Sequence, residues 1–365
     1  MNTDVLDNKQ AIQLLHQVPR AFILAITGGG SSALAQLLAE PGASNTIMDS
    51  IIPYSEAALS HFLGHSPKSA CSPDTARLMA MTAFTKAKVL SPDKPAFGLG
   101  CTAALKTHRD RRGLDRCYVS IQSAKSSLLL ELTLEKRLSR SEQEAQCCRL
   151  ILYGMLLSTG LTTERSWEGL SVKHLFAPSS WEDLMRGSIS STHAVENPPR
   201  AIFPGAFNPP HLGHREIVRI AEEKLGQEVL YEISITNVDK ANIDFIDMKQ
   251  REDFLEGANI VFTQAPTFAE KSKLFPQVIF IVGVDTICRI ADVKYYDNKL
   301  QKRDEAIADL VKRKHRFLVF GRVVGSAYLT LSKVQLPELL RNLCDEISEE
   351  EFREDFSSSQ IRLEG

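Results

Sequence analysis

The sequence lacks the features that mark secreted, membrane-spanning and zinc-binding proteins. Its seven cysteines are odd in number and scattered, and none of them has the close spacing of a zinc site. No apolar run approaches the length that crosses a membrane, and the N-terminal residues lack the layout of a signal peptide. We therefore expect a cytoplasmic protein without a membrane partner.

The net charge of the chain is close to zero, and tryptophan is rare. The net charge of −2 offers no general attraction to nucleic acid or to an anionic membrane, so we expect neither as a partner. The 2 tryptophans, Trp167 and Trp181, both lie in the first half of the chain. With 365 residues, 43% of them hydrophobic, the chain is long enough for two soluble domains.

In the second half, a turn rich in glycine and proline connects a predicted strand to a predicted helix. The apolar run 201–203 is typical of a buried strand, and 215–225 carries apolar residues on one helical face. His211 and His214 point the same way if His211 lies in the first helical turn, where N–H groups and the helix dipole favour phosphate. On spacing alone, the two histidines would also fit a metal pair or an exposed surface.

The complete stretch is more specific, and it reads Gly205-Ala206-Phe207-Asn208-Pro209-Pro210-His211-Leu212-Gly213-His214. It resembles the nucleotidylyltransferase signature G-x-F-x-P-x-H-x-G-H, in the form most similar to nicotinamide or nicotinate mononucleotide adenylyltransferases. The resemblance implies a Rossmann-like α/β fold in which both histidines bind the phosphates of a nucleoside triphosphate. We assign nucleotide binding to Gly205, Phe207, Asn208 and Gly213, and catalysis to His211 and His214.

Three later segments of the second half match the same family. Lys240 follows a predicted strand and Arg251 lies in a predicted helix, where the resemblance places the mononucleotide and its phosphate; a solvated basic face is the alternative for each. The apolar run 278–282 predicts a central parallel strand, and Gly283 and Asp285 behind it resemble the family's Gly-x-Asp motif. Tyr295 offers an aromatic face near the expected substrate pocket.

The last segment of the chain contains Phe356-Ser357-Ser358-Ser359-Gln360-Ile361-Arg362. It is similar to the family's Ile-Ser-Ser-Thr-x-x-Arg, which implies that Ser357, Ser358 and Ser359 bind the nucleotide and that Arg362 is catalytic. Hydroxyl and N–H groups at a helix start, with an arginine one turn later, suit phosphate oxygens. Taken alone, a serine-rich tail with one arginine would predict disorder.

The first half contains a second strand, glycine turn and helix. The apolar run 21–26 ends in Thr27-Gly28-Gly29, and the segments 37–44 and 51–58 follow, the latter including Tyr54. Read together, these segments resemble the CinA C-terminal family, nicotinamide-nucleotide amidohydrolases with a compact α/β fold. The resemblance covers about the first 160 residues and implies self-association through this domain.

The departures from that family affect the residues that would carry its chemistry. Active members have Glu-Ser-Cys where this chain has Leu24-Ala25-Ile26, and a lysine where it has Leu59. Neither an alanine methyl nor a leucine can supply an activated nucleophile. We expect a degenerate amidohydrolase domain whose remaining site residues, Thr27, Gly28, Gly29 and Tyr54, can still hold a nucleotide. Ser31, Ser32 and Ser55 are alternative nucleophiles, but each is also typical of a helix cap or a loop.

The predicted architecture is α/β in both halves. We expect a CinA C-terminal-like domain at 1–162, a connecting segment at 163–198, and a Rossmann-like nucleotidylyltransferase domain with a parallel sheet at 199–365. Turn-forming residues at 194–199 mark the expected boundary.

The expected function is transfer of AMP from ATP to nicotinamide or nicotinate mononucleotide, with Mg²⁺ as cofactor and release of pyrophosphate. No metal site formed by protein residues is predicted. The absence of tryptophan from the second half counts against a pyridine substrate. A cytidylyltransferase acting with CTP, another adenylyltransferase, and a non-enzymatic nucleotide sensor remain the alternatives, and a homo-oligomer through the first domain is compatible with each.

Overall fold

The computed structural model describes residues 7–108, 113–164, 166–193, 198–209, 211–237, 242–324 and 327–353. The chain divides into two compact units: residues 1–186 with 239–247, and residues 187–238 with 248–365. Among the described residues, no helix is both long enough and apolar enough to cross a membrane. The predicted α/β fold class is confirmed in both units.

The first unit is built on a six-stranded mixed sheet in the order β2-β1-β3-β4-β5-β6. Strands β1 to β3 are parallel, and β3 to β6 pair antiparallel. Its elements in chain order are α1 (Asn8–His16), β1 (Ala21–Thr27), α2 (Ser31–Ala39), β2 (Ile47–Ile51), α3 (Glu56–Leu63), α4 (Pro73–Leu90), β3 (Ala96–Ala104), β4 (Asp115–Ser123), β5 (Ser126–Leu134), α5 (Arg140–Ser158), β6 (Leu170–Phe176) and α6 (Ser179–Arg186).

Burial on both faces explains the apolar sequence of strand β1. All seven residues of β1 are buried, as the uninterrupted apolar run 21–26 predicts. Helix α4 lies so close to β3 that a Cβ on Gly98 would come within 2.1 Å of the Ala80 carbonyl oxygen. Glycine at this position therefore permits the close packing of helix and strand. Elements β6 and α6, which belong to the first unit, lie within the predicted connecting segment 163–198.

The second unit contains a six-stranded parallel sheet in the order β14-β11-β10-β7-β8-β9. Its elements are β7 (Ala201–Pro204), α7 (Leu212–Leu225), β8 (Leu230–Ser234), α8 (Phe245–Phe254), β9 (Ile260–Thr263), α9 (Phe268–Leu274), β10 (Ile279–Gly283), α10 (Val284–Ala291), α11 (Leu300–Lys312), β11 (Arg316–Phe320), the hairpin β12 (Arg322–Val324) and β13 (Ala327–Leu329), α12 (Glu338–Arg341) and β14 (Cys344–Ile347). Residues 245–247 of α8 belong to the first unit.

This strand order is that of a Rossmann-like sheet. Numbered along the unit, β7 is the first strand and β10 the fourth, and they are neighbours at the centre of the sheet. The core packs around Ile202, Phe280 and Phe317, all of which are fully buried. The sheet therefore reverses its strand order between β7 and β10, the position where such folds bind ligands.

Candidate functional site

Two of the motifs predicted in the second half, the signature turn and the Gly283–Asp285 motif, lie next to this reversal point. The signature turn follows β7 and leads into α7, and Gly283 is both the last residue of β10 and the N-cap of α10. Because adjacent parallel strands end at the same edge of a sheet, the N-termini of α7 and α10 lie at one edge. Two helix dipoles and their unpaired N–H groups then favour an anionic ligand at that edge.

Phe207 determines the shape of the signature turn. Its side chain is 2% exposed, and its ring lies 5.1 Å from the rings of Phe203, Tyr231 and His214. Its φ of 44° is a left-handed conformation that is uncommon for a residue with a side chain. A Cβ on Gly205 would approach the Phe207 ring to 2.5 Å, so the turn requires glycine there.

His211 and His214 lie in contact at the start of α7, with their ring planes tilted by 36°. His211 is the N-cap residue, and its ring centroid lies 3.8 Å from that of His214. The backbone N–H of His211 donates to Nδ1 of His214 at 3.1 Å, and the N–H of His214 donates to the His211 carbonyl at 3.0 Å. The first bond is the side-chain half of a capping box and the second is a backbone turn bond, and together they bring the two imidazoles of the signature into contact.

The protonation of His214 follows from this geometry. Because its Nδ1 accepts a hydrogen bond, the neutral ring carries its proton on Nε2. Burial, and secondarily the neighbouring His211, lower the pKa of His214 to about 3. At neutral pH the residue is therefore an uncharged Nε2–H donor.

Arg251 reaches the same turn from α8. It is 6% exposed, and its Nε donates to the Ala206 carbonyl at 2.8 Å. This contact supports the backbone of the signature turn. The predicted contact of Arg251 with substrate stays a prediction.

Asp285 lies in the first turn of α10 and pairs with a residue of the β12–β13 hairpin. Arg322, at the start of β12, donates to the Asp285 carboxylate. Both side chains are partly exposed, at 44% for Arg322 and 38% for Asp285. The carboxylate predicted to bind nucleotide is thus accessible and already neutralised by an arginine.

The remaining predicted residues of the second half fall into two groups. Gly283 has no atom within 4 Å of the position a Cβ would take, Gly213 is buried in α7, Asn208 is exposed, and Tyr295 is 37% exposed beneath the ammonium of Lys294. Lys240, Ser357, Ser358, Ser359 and Arg362 lie outside the described residues.

The donor set at the reversal point fits a Mg²⁺ that arrives with a nucleotide. Among the described residues there is no group of three or more His, Cys, Asp or Glu placed to hold a metal. Asp285 supplies a carboxylate at the carboxyl end of β10, and Mg²⁺ usually binds through one or two carboxylates together with water and substrate phosphates.

The four residues predicted as a vestigial site in the first unit line one cavity. Thr27, Gly28, Gly29 and Tyr54 border a space of about 820 Å³. Arg140, Ser141 and Glu144 of α5 border it as well, although none of them was predicted as a site residue. No local pattern could have found them, because they lie more than 80 residues from Tyr54 in the chain.

The family's nucleophile and lysine positions come together elsewhere, in an apolar cluster. Ala25 is 0% exposed and Leu59 is 2% exposed, and both pack with Leu63 and Met79. The candidate nucleophile Ser55 caps α3 by accepting from the Ala58 N–H at 3.1 Å. The hydroxyl of Ser31 donates to Glu144. Ser55 therefore acts as a helix cap, and the carboxylate that Ser31 contacts is also bound by the N–H groups of Gly30 and Ser32.

Known proteins match parts of this chain. Residues 202–364 match the family described as Cytidylyltransferase-like, in agreement with the resemblance found in the second half of the sequence. A Schizosaccharomyces pombe protein, provisionally described as a nicotinamide mononucleotide adenylyltransferase, is 27% identical over 139 residues. That match covers 34% of this chain and 54% of the relative, so the chain spans about half the length of that relative.

Solved structures also match, at low identity. The competence/damage inducible protein CihA from Agrobacterium tumefaciens is 17% identical with a TM-score of 0.37, covering 44% of this chain and 99% of that protein. A competence-damaged protein (CinA) superfamily protein from Escherichia coli is 15% identical with a TM-score of 0.35, covering 43% and 92%.

Proposed function

We propose that the cytidylyltransferase-like domain is a Mg²⁺-dependent adenylyltransferase that converts ATP and nicotinamide or nicotinate mononucleotide into a dinucleotide and pyrophosphate. The observation that carries this proposal is the meeting of the signature turn and Gly283–Asp285 at the reversal point of the sheet. There the N-termini of α7 and α10 and the Nε2–H of His214 are grouped at one edge.

The reaction requires no covalent enzyme intermediate. An oxygen of the mononucleotide phosphate attacks the α-phosphorus of ATP and forms the new P–O bond. The bond from that phosphorus to the bridging oxygen of the β-phosphate breaks, and pyrophosphate leaves with the electron pair. Negative charge shifts toward the pyrophosphate, so the chain accelerates the reaction by aligning the two phosphates and by donating hydrogen bonds to the leaving group. Mg²⁺, when bound, would neutralise part of the phosphate charge.

The roles of individual residues follow from their positions. His214 donates from Nε2 to a phosphate oxygen, and the backbone N–H groups at the start of α7 bind its neighbours. Arg251 acts as a positioning residue, because its bond to the Ala206 carbonyl holds the signature turn. Ser357, Ser358 and Arg362 complete the triphosphate site according to the family resemblance, with Lys240 near the mononucleotide.

The choice of a pyridine mononucleotide rests on two similarities. The signature has the F-N-P-P-H-L-G-H form, and the Schizosaccharomyces pombe relative carries a description with that substrate. The partly exposed ring of Tyr295 offers an aromatic surface in place of the missing tryptophan. The description Cytidylyltransferase-like favours a second candidate, in which CTP reacts with another phosphomonoester.

The test is a matrix of reactions on the full chain. ATP or CTP is combined with Mg²⁺ and a panel of phosphomonoesters, including both pyridine mononucleotides, and pyrophosphate release is measured. We expect the highest turnover with ATP and a pyridine mononucleotide. The best turnover with CTP and a sugar or alcohol phosphate would contradict the substrate choice and leave the reaction class standing. Nucleotide binding without pyrophosphate release in any pair would favour the sensor.

A further inference from the structure

The N-terminus of α2 in the first unit is arranged to bind an anion. Helix α2 begins at Ser31, directly after the glycine turn, and Gly30 is its N-cap with a φ of +91°. The first N–H groups of a helix have no partner within the helix and carry the positive end of its dipole. Thr27, Gly28 and Gly29 of the same turn line the 820 Å³ cavity. The sequence predicts that residues of this turn can hold a nucleotide, and the turn with the start of α2 is called the cradle below.

A carboxylate of the chain itself already occupies that position. Glu144 Oε2 accepts from the Gly30 N–H at 2.7 Å, and Oε1 accepts from the Ser32 N–H at 3.0 Å and from the Ser31 hydroxyl at 3.2 Å. Three donors at the start of α2 are thus bound to one side chain. A bound phosphate would use the same N–H and hydroxyl groups.

The carboxylate is held in place by a rigid element. Glu144 lies in the first turns of α5, a 19-residue helix that starts with a capping box between Ser139 and Glu142. On either side of Glu144, Gln143 and Cys147 are fully buried. Displacing the carboxylate would therefore require a change of side-chain conformation against three hydrogen bonds, with the helix fixed.

We propose that Glu144 is an internal substitute for a ligand phosphate, and that it closes this cavity to phosphate-bearing ligands, mononucleotides included. A phosphate near the cradle would face the carboxylate at short range. Repulsion between two unit charges about 4 Å apart near a protein surface lowers affinity by roughly a thousandfold. Glu144 thus reverses the ligand preference that the glycine turn alone implies. This inference concerns the first unit and does not depend on the proposed reaction of the second.

Hydrogen exchange of the full chain tests the proposal, because the readout is confined to peptides that contain Gly30–Ala33. Exchange is measured by mass spectrometry with and without millimolar inorganic phosphate, in the native chain and in Glu144→Ala. Glu142→Gln is the matched control, since it removes the same charge from the same helix and leaves the α2 contacts intact. Phosphate bound by the second unit does not affect this local readout.

In the native chain and the control, phosphate should leave exchange in these peptides unchanged. In Glu144→Ala, exchange should be about fivefold faster, as for the loss of a hydrogen bond of about 1 kcal/mol, and phosphate should slow it again. Protection of the native chain by phosphate would overturn the proposal. So would a folded Glu144→Ala that exchanges at the native rate or does not respond to phosphate. If Glu144→Ala fails to fold, Glu144→Gln keeps one acceptor without the charge, and the same gain of protection by phosphate is expected.

Discussion

A single backbone hydrogen bond sets the chemical state of His214. The N–H of His211 donates to Nδ1, so the proton of the neutral ring resides on Nε2, where it can be donated to phosphate. The sequence predicted the histidine pair and its phosphate role, but it could not assign protonation, because that depends on burial and on the partner of Nδ1. The depressed pKa makes His214 a donor without a charge in the absence of nucleotide.

Removing this donor should impair turnover more than folding. We expect His214→Ala to lower kcat by about a hundredfold, as for the loss of one preorganised donor to the developing charge. His214→Gln keeps an N–H donor at the Nε2 position and should retain more activity. Pyrophosphate release measures both variants, with thermal unfolding as the check on folding. Full activity of His214→Ala would contradict the phosphate role.

The same residue should contribute to acid sensitivity. The pKa of His214 is lowered in the folded state from 6.5 to about 3, so the unfolded chain binds a proton first as the pH falls. Its contribution to stability is therefore present above about pH 6.5 and is lost as the pH falls toward 3. Urea unfolding at pH 7 and pH 5 should show a larger loss for the native chain than for His214→Gln. Equal losses would mean that His214 is not buried in its neutral form.

Ala25 and Leu59 predict that the first unit does not hydrolyse the carboxamide of nicotinamide mononucleotide. The fold brings the family's nucleophile and lysine positions into one cluster, and that cluster is apolar and buried. We expect no release of ammonia from nicotinamide mononucleotide by the full chain when ATP is omitted, which prevents consumption of the nucleotide by the second unit. Steady release that survives Ser31→Ala, Ser32→Ala and Ser55→Ala would place an active site elsewhere. Release abolished by one of them would identify a relocated serine.

At the scale of elements, the sequence predicts best those strands and helices that a few neighbouring residues determine. The strand at 201–203, the helix at 215–225 and the strand at 278–282 are confirmed as β7, α7 and β10 with small changes at their ends. Apolar period and turn residues determine such elements over a few residues. The pairing of β7 with β10 required the Rossmann-like resemblance, because about 75 residues separate them.

Two glycines at the ends of β7 and β10 should respond differently to the same substitution. Gly205→Ala would place a Cβ 2.5 Å from the buried Phe207 ring, and we expect a loss of stability of about 1–3 kcal/mol together with loss of activity. Gly283 has a φ of −77° and open space at its Cβ position, so Gly283→Ala should leave stability unchanged. Thermal unfolding compares the two. Equal melting temperatures for both variants would mean that Phe207 does not constrain the turn.

At the scale of the whole molecule, the first unit contains a segment that the sequence analysis assigned to the second domain. Residues 242–247 belong to the same compact unit as the first half of the chain. Within the unit, Arg77 donates to both oxygens of Asp244, at 2.7 and 2.6 Å, and to Asp247 at 2.5 Å. The Ser127 hydroxyl accepts from the Phe245 N–H at 3.0 Å. No pattern in the sequence could predict an ion pair between residues separated by 167 positions.

Removing only one partner of the Arg77–Asp244 ion pair should lower the free energy of unfolding strongly. Arg77 is 9% and Asp244 is 4% exposed; although burial opposes the charge, the two carboxylates raise the pKa of Arg77. Arg77→Met leaves Asp244 buried without its partner, and we expect a loss of about 3–5 kcal/mol in the free energy of unfolding. Asp74, whose side chain is 84% exposed, also contacts Arg77, and Asp74→Asn should cost less than about 1 kcal/mol.

Urea unfolding of the full chain measures both variants, followed by the double variant Arg77→Met with Asp244→Asn. Because the double variant removes both buried charges, it should recover part of the stability lost in Arg77→Met. A fragment that ends at residue 186 lacks Asp244 and Asp247, so Arg77→Met should cost that fragment little or nothing. If Arg77→Met destabilised the fragment as much as the full chain, residues 242–247 would not be part of the first unit's core.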